Sequence, residues 1–161
     1  MLPPFRPYRP RTKIVCPPLD PRVRKHNAAT FRVAALRNPN WLELRRRLLA
    51  LGGFVCCVPM HDPDLPDILA RGQCFAGRAI PMPGAVSRCH MNAARLWDAN
   101  RDQITIATGY ALSPDGIWRQ HSWGVRCATG QAIETTVSRL RYYGFLLTPE
   151  ACARFWEDNA L

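Results

Sequence analysis

Apolar residues first recur at helical spacing from Asn40 onward, where Trp41, Leu44, Leu48 and Leu51 share one face and Arg45, Arg46 and Arg47 fall on others. The pattern predicts an amphipathic helix with Asn40 as its N-cap and Gly52-Gly53 as its stop. Phe54 to Val58 follows as a short buried extended run, and adjacent Cys56 and Cys57 should point to opposite sides of it. Residues 59 to 86 are dense in proline and glycine, which predicts loops around one short helix near Asp67 to Arg71. A second helical pattern runs from Arg88 to Trp97, behind Ser87 as N-cap, with Cys89, Asn92, Ala93 and Leu96 on one face.

The period then changes from helix to strand. Ile104 to Leu112 alternates, Ser113-Pro114-Asp115-Gly116 is a turn, and Ile117 to Cys127 alternates again with His121, Trp123 and Val125 on one face. Ala128-Thr129-Gly130 turns the chain into a third strand, Gln131 to Thr136. Residues from Ser138 to Phe145 extend the sheet, and Thr148-Pro149 starts a last helix reaching about Asn159 with Phe155 and Trp156 inward. A helix followed by a meander implies an α+β fold, with helices segregated from an antiparallel sheet.

Before Asn40 neither period is present. Residues 1 to 39 hold eight of the fifteen prolines and few large apolar residues beyond Phe5, Tyr8 and Phe31, so they read as an extended basic arm ahead of a domain spanning 40 to 161. Charge sharpens that division. Residues 1 to 47 carry twelve Lys or Arg against Asp20 and Glu43, which accounts for the whole net charge of +10. A basic arm with interleaved aromatics suits an anionic partner, nucleic acid or protein, or serves as a solubilising tail.

At 161 residues the chain is near the modal size of one domain, and its longest apolar run, Leu48 to Val58, is too short to span a bilayer. No transmembrane segment or secretory signal is expected. Seven cysteines without a Cys-x-x-Cys spacing favour free thiols in a reducing cytoplasm over a disulfide framework or a zinc site. Cys89, His90 and His121 lack standard ligand spacing, so neither a metal nor any other cofactor is called for.

One cysteine stands in a chemically distinctive place. Cys89 at a helix start meets unpaired N–H groups and the positive end of the helix dipole, which favour the thiolate and can hold an oxyanion. His121 lies in a following strand, and Glu134 in the strand after that. If Arg126 pairs with Gln131, opposed residues sum to 257, and Glu134 falls diagonal to His121 on the same face. Diagonal neighbours, roughly 7 to 8 Å apart at the backbone, lie within reach of a glutamate. Gln73 is a candidate oxyanion donor, Asn92 a candidate supporting group one turn from Cys89, and Trp123 a candidate wall beside His121.

In this order the chain resembles the transglutaminase-like and papain-like cysteine superfamily, above all its transglutaminase-like branch. The resemblance is carried by Cys89, Gly109-Tyr110, His121-Ser122-Trp123-Gly124-Val125 and Glu134-Thr135-Thr136, and covers about residues 85 to 145. It differs in having Glu134 where the family usually has Asp, and in a compact spacing from Cys89 to His121. It implies a central helix on an antiparallel sheet, with Cys89 as nucleophile, His121 as base and Glu134 as orienting acid. The implied activity is a hydrolase or acyltransferase acting on a peptide or protein amide, or an ester, through a thioester. The alternative class is a nucleic-acid-binding module using the basic arm, with the Cys-His pair structural.

Overall fold

The computed structural model describes residues 8–75 and 78–161. Among them the protein is a mixed α/β structure with five helices and a mostly antiparallel seven-stranded sheet. The order along the chain is α1 (Pro21–Arg37), α2 (Asn40–Leu51), β1 (Val55–Cys57), α3 (Leu65–Arg71), β2 (Gln73–Cys74) and β3 (Ile80–Pro81). Then come α4 (Cys89–Asp98), β4 (Ile104–Leu112), β5 (Ile117–Arg126), β6 (Ala132–Glu134), β7 (Arg141–Leu146) and α5 (Pro149–Asn159).

The sheet runs β2-β7-β4-β5-β6-β3, with β1 as an additional partner of β5. Only β1 on β5 and β3 on β6 pair parallel, and both strands are short. The central pair β4 and β5 is antiparallel over nine residue pairs, from Ile104 opposite Arg126 to Leu112 opposite Trp118. β5 and β6 pair Gly124 with Ile133 and Val125 with Ala132, the register expected from the alternation. One edge of β5 is thus filled by β4 throughout. Its other edge is shared between β1 at Ile117–Arg119 and β6 at Gly124–Val125, and the residues between, 120 to 123, have no strand beside them there among the described residues.

The first part of the chain departs from expectation. The extended reading of residues 1 to 39 is corrected over Pro21–Arg37, which is helical. Asp20 caps it, its carboxylate accepting from the N–H of Arg22 and Val23, and Pro21 occupies the first turn, where a missing N–H costs nothing. Only Phe31 and Ala34 of this helix are buried, so its apolar face is too sparse to register as a period. Upstream, Ile14 bridges Gly52 and Cys16 is buried, so the chain is packed on the sheet well before Asn40. Phe5 lies outside the described residues.

Elsewhere the pattern holds with shifts at the ends. Trp41, Leu44 and Leu48 are buried as the helical spacing implies, although Pro39 rather than Asn40 takes the N-cap position. Cys56 is buried and Cys57 exposed, on opposite sides of β1. Thr148 caps α5, accepting from Ala151 N–H. The largest apolar cluster joins α1, α2, α3 and β1 to Tyr110, Trp118 and Phe145 of the sheet. A second cluster, around Trp123, Phe75 and Tyr142, surrounds the residues of the candidate site.

Candidate active site

Cys89 is the first residue of α4, with Arg88 as N-cap. Ser87 is not the cap: it sits at φ 58, in the left-handed region, and makes the bend that delivers the chain into the helix. The loop before it is fixed from two sides. Asn92 accepts from Ala85 N–H and donates to the carbonyls of Ala85 and Thr135, and Gly84 N–H donates to Thr135 carbonyl at 2.7 Å. A Cβ on Gly84 would come within 2.6 Å of the Asn92 amide, so only glycine permits this close approach. Asn92 therefore acts on the loop that enters the helix and not on the sulfur.

The helix start is seated against the open stretch of β5. Arg126 N–H donates to Gln131 carbonyl, toward β6, and alternation puts Ser122 N–H on the same side, where no strand receives it. The backbone N–H groups of Ser122 and His90 and the side chain of His121 lie beside the Cys89 sulfur and favour its thiolate. His90, next to the cysteine, holds the Ser122 hydroxyl through Nδ1 at 2.7 Å, and that hydroxyl donates to Thr108 at 3.1 Å. Since Ser122 donates onward, His90 Nδ1 is the protonated nitrogen of that contact. His90 thus fastens α4 to β5 and β4.

His121 is buried, with Nε2 at 2.9 and 3.1 Å from the two carboxylate oxygens of Glu134. That contact leaves Nδ1 for the sulfur. The Glu134 carboxylate is filled on its other sides: Oε1 accepts from the Thr136 N–H at 2.9 Å and hydroxyl at 2.8 Å, and Oε2 from the Tyr142 hydroxyl at 2.7 Å. Trp123 lies nearly parallel to the His121 ring, 6.0 Å between centroids, and Tyr142 closes it at 6.2 Å. Trp123 has room because Gly144 stands across the sheet, where a Cβ would meet its ring at 2.9 Å.

Electrostatics follow from these contacts. Burial pushes the Cys89 thiol up, but His121 and the Ser122 and His90 backbone groups outweigh it and leave the thiol below its ordinary value. Burial lowers His121 while Cys89 and Glu134 raise it, with a net rise. Glu134 is opposed by burial and held at about 2 by His121, Tyr142 and Thr136. His90 is shifted down by its own burial and then by the charge of His121. The two histidines beside the sulfur are driven apart: one toward imidazolium, one toward neutral imidazole.

Of the sequence candidates, Cys89, His121, Glu134 and Trp123 come together. Gln73 does not. It lies in β2 opposite Gly144, which is opposite Gly109, which is opposite His121. Three strand spacings, roughly 14 Å, separate Gln73 from His121, on the side of β5 away from the sulfur. The expectation of Gln73 as oxyanion donor is corrected because its strand pairs with β7 instead of lying beside α4. Sequence reasoning missed Tyr142 as a ligand of the acid and His90 as the fastener of α4. The alternation of Arg141 to Phe145 put Tyr142 on a face, but only β7 beside β4 brings that face to Glu134.

Among the described residues no helix is long and apolar enough to cross a membrane, and all seven cysteines are free. Comparison with protein-family models, with curated proteins and with solved structures finds no match.

Proposed function

We propose that this protein is a cysteine-dependent hydrolase or acyltransferase that attacks an amide or ester carbonyl through Cys89, on a papain-like, transglutaminase-like core working in a reducing cytoplasm. The observation that carries the reading is the placing of Cys89 beside His121, whose ring is held by the Glu134 carboxylate, with the thiol shifted down and the imidazole up. A cysteine serving only as core would show the opposite shift, as Cys56 does, pushed up to about 12 by burial.

The thiolate attacks the carbonyl carbon, a C–S bond forms, and the carbonyl π pair moves onto oxygen, held by N–H groups at the start of α4. As the pair returns, the C–N or C–O bond breaks and His121 Nδ1 gives its proton to the leaving amine or alkoxide. Water or an incoming amine then loses a proton to the neutral ring, attacks the thioester, and expels the thiolate. Glu134 fixes the ring with Nε2 protonated and stabilises its charged form throughout. Tyr142 and Thr136 keep Glu134 ionised.

The test is alkylation by iodoacetamide at pH 7, followed by intact mass and peptide mapping. Rapid, stoichiometric modification at Cys89, slowed strongly by His121→Ala, is expected. Modification spread over the exposed Cys57 and other thiols, unchanged by His121→Ala, would sink the reading.

A second reading has one observation of its own: Arg22, Arg24, Lys25, Arg32 and Arg37 are exposed along α1, giving a cationic helix suited to nucleic acid. Binding with a steep salt dependence, unaffected by Cys89→Ala, would support it.

A further inference from the structure

We propose that the cavity on the far side of Glu134 is a subsite for a carboxylate-bearing side chain of a peptide substrate, an inference that rests on the acyl-transfer reading and names its substrate class. The cavity measures about 290 Å³ and lies between Pro81 and Pro83 on one side and Glu134, Arg139 and Tyr142 on the other, with Arg78 also lining it. It shares two of its walls with the site, since Glu134 binds His121 and Tyr142 binds Glu134.

Its charge is set by arginine. Arg139 donates through Nη1 to the Ser113 hydroxyl, and its Nε is sealed off without a hydrogen-bond partner among the described residues, so a ligand in the cavity would be met by its other terminal N–H groups. The terminal N–H groups of a guanidinium receive a carboxylate through charge-assisted hydrogen bonds. Arg78 is exposed. The one carboxylate in the wall, ionised Glu134, offsets only one of the two arginines and leaves the lining a surplus of one positive charge. Asp115, whose charge is felt near Arg139, is taken in both oxygens by Arg119 at 3.0 and 2.8 Å. A single negative charge fits such a cavity, whereas a dianion would be repelled by Glu134.

The surroundings indicate a peptide. The loop before α4 and the loop after β6 run side by side, Met82 N–H donating to Glu134 carbonyl and Gly84 N–H to Thr135 carbonyl. Met82 and Val86 on the first, and Val137 and Leu140 on the second, are large apolar side chains left exposed. Apolar side chains exposed on the two loops that supply walls of the cavity suit a segment in which an acidic residue is flanked by apolar ones.

The experiment uses the full chain and peptidyl chloromethyl ketones carrying Glu, Gln, Arg or phosphoserine at each of the three positions before the reactive carbon in turn. The rate constant for Cys89 alkylation is read by intact mass. At one position the Glu probe should react about tenfold faster than its Gln twin, the scale of one charge-assisted hydrogen bond. That advantage should fall below about threefold in Arg139→Gln and in Arg78→Gln. Because Arg139 also holds Ser113, the exposed Arg78 supplies the variant whose folding is not in question. Equal rates for Glu and Gln at every position, or an advantage surviving both substitutions, would overturn the subsite. A phosphoserine probe faster than Glu would overturn its carboxylate class. Failure of iodoacetamide and every peptidyl probe to label Cys89 would instead overturn the acyl-transfer reading.

Discussion

At the scale of single residues, the site's behaviour with pH can be worked out from three groups. The lowering of Cys89 and the raising of His121 both favour the thiolate-imidazolium pair. Iodoacetamide reactivity should therefore persist below the ordinary thiol value of 9.0 and fall only as Cys89 itself takes a proton, whereas His121→Ala should move the rise in rate up toward 9.0. Glu134 affects stability as well. Its folded value is depressed to about 2 from 4.5, so its contribution is present above 4.5 and lost as pH falls through about 2. Thermal unfolding of Glu134→Gln should lose that acid limb, while leaving the Tyr142 and Thr136 donors poorly paired costs about 1 to 3 kcal/mol at neutral pH. Tyr142→Phe removes one donor to the acid, and its turnover should fall less than that of Glu134→Gln, with a larger fall at low pH than at neutral pH. An equal fall at both pH values would mean that Tyr142 serves packing alone. The residue types at 89, 121 and 134 were legible because helix start, alternation and a four-residue turn are local rules. Tyr142 and His90 were not, because their roles depend on which strand lies beside β4 and which face of α4 meets β5.

At the scale of elements, the register of β5 against β6 decides the site, and the turn between them decides the register. Gly130 at φ 71 takes the left-handed position of that turn. A one-residue slip would carry Glu134 to the opposite face. Crowding offers another handle. Gly144→Ala would drive a methyl into Thr108 carbonyl at 2.2 Å and into the Trp123 ring at 2.9 Å. It should cost about 2 kcal/mol or more and slow alkylation of Cys89, because Trp123 lies against His121. Intact reactivity in a folded Gly144→Ala protein would show that Trp123 does not position the histidine. α1 was illegible for a physical reason: with only Phe31 and Ala34 buried, its sequence shows caps without a stripe. The cap signal, Asp20 before Pro21, was present, and Asp20→Ala should cost about 1 kcal/mol.

At the scale of the whole molecule, the cationic part of the chain is also part of the core. Phe31 and Ala34 pack in the same cluster as Trp41, Leu44 and Trp118, and Cys16 joins them. Deleting residues 1 to 36 should therefore lower the thermal transition strongly, and Phe31→Ala alone should cost about 3 kcal/mol. A truncated chain that melts like the full one would show that α1 rests on the domain without supporting it. The same packing places the basic residues of α1 and α2 on a rigid helical surface, so an anionic partner would meet a fixed array there instead of a loose tail.

The open stretch of β5 carries a further consequence. Unpaired strand backbone inside a sheet is a template on which another chain can add, and proteins that leave one exposed tend to associate edge to edge. Here that backbone is occupied by the start of α4, with Ser122 N–H beside the Cys89 sulfur and the Ser122 hydroxyl held by His90. The nucleophile's helix is thus also the guard of an adhesive edge. Loosening it, as His90→Ala would, should produce concentration-dependent self-association at temperatures where the monomer still keeps its helical circular dichroism.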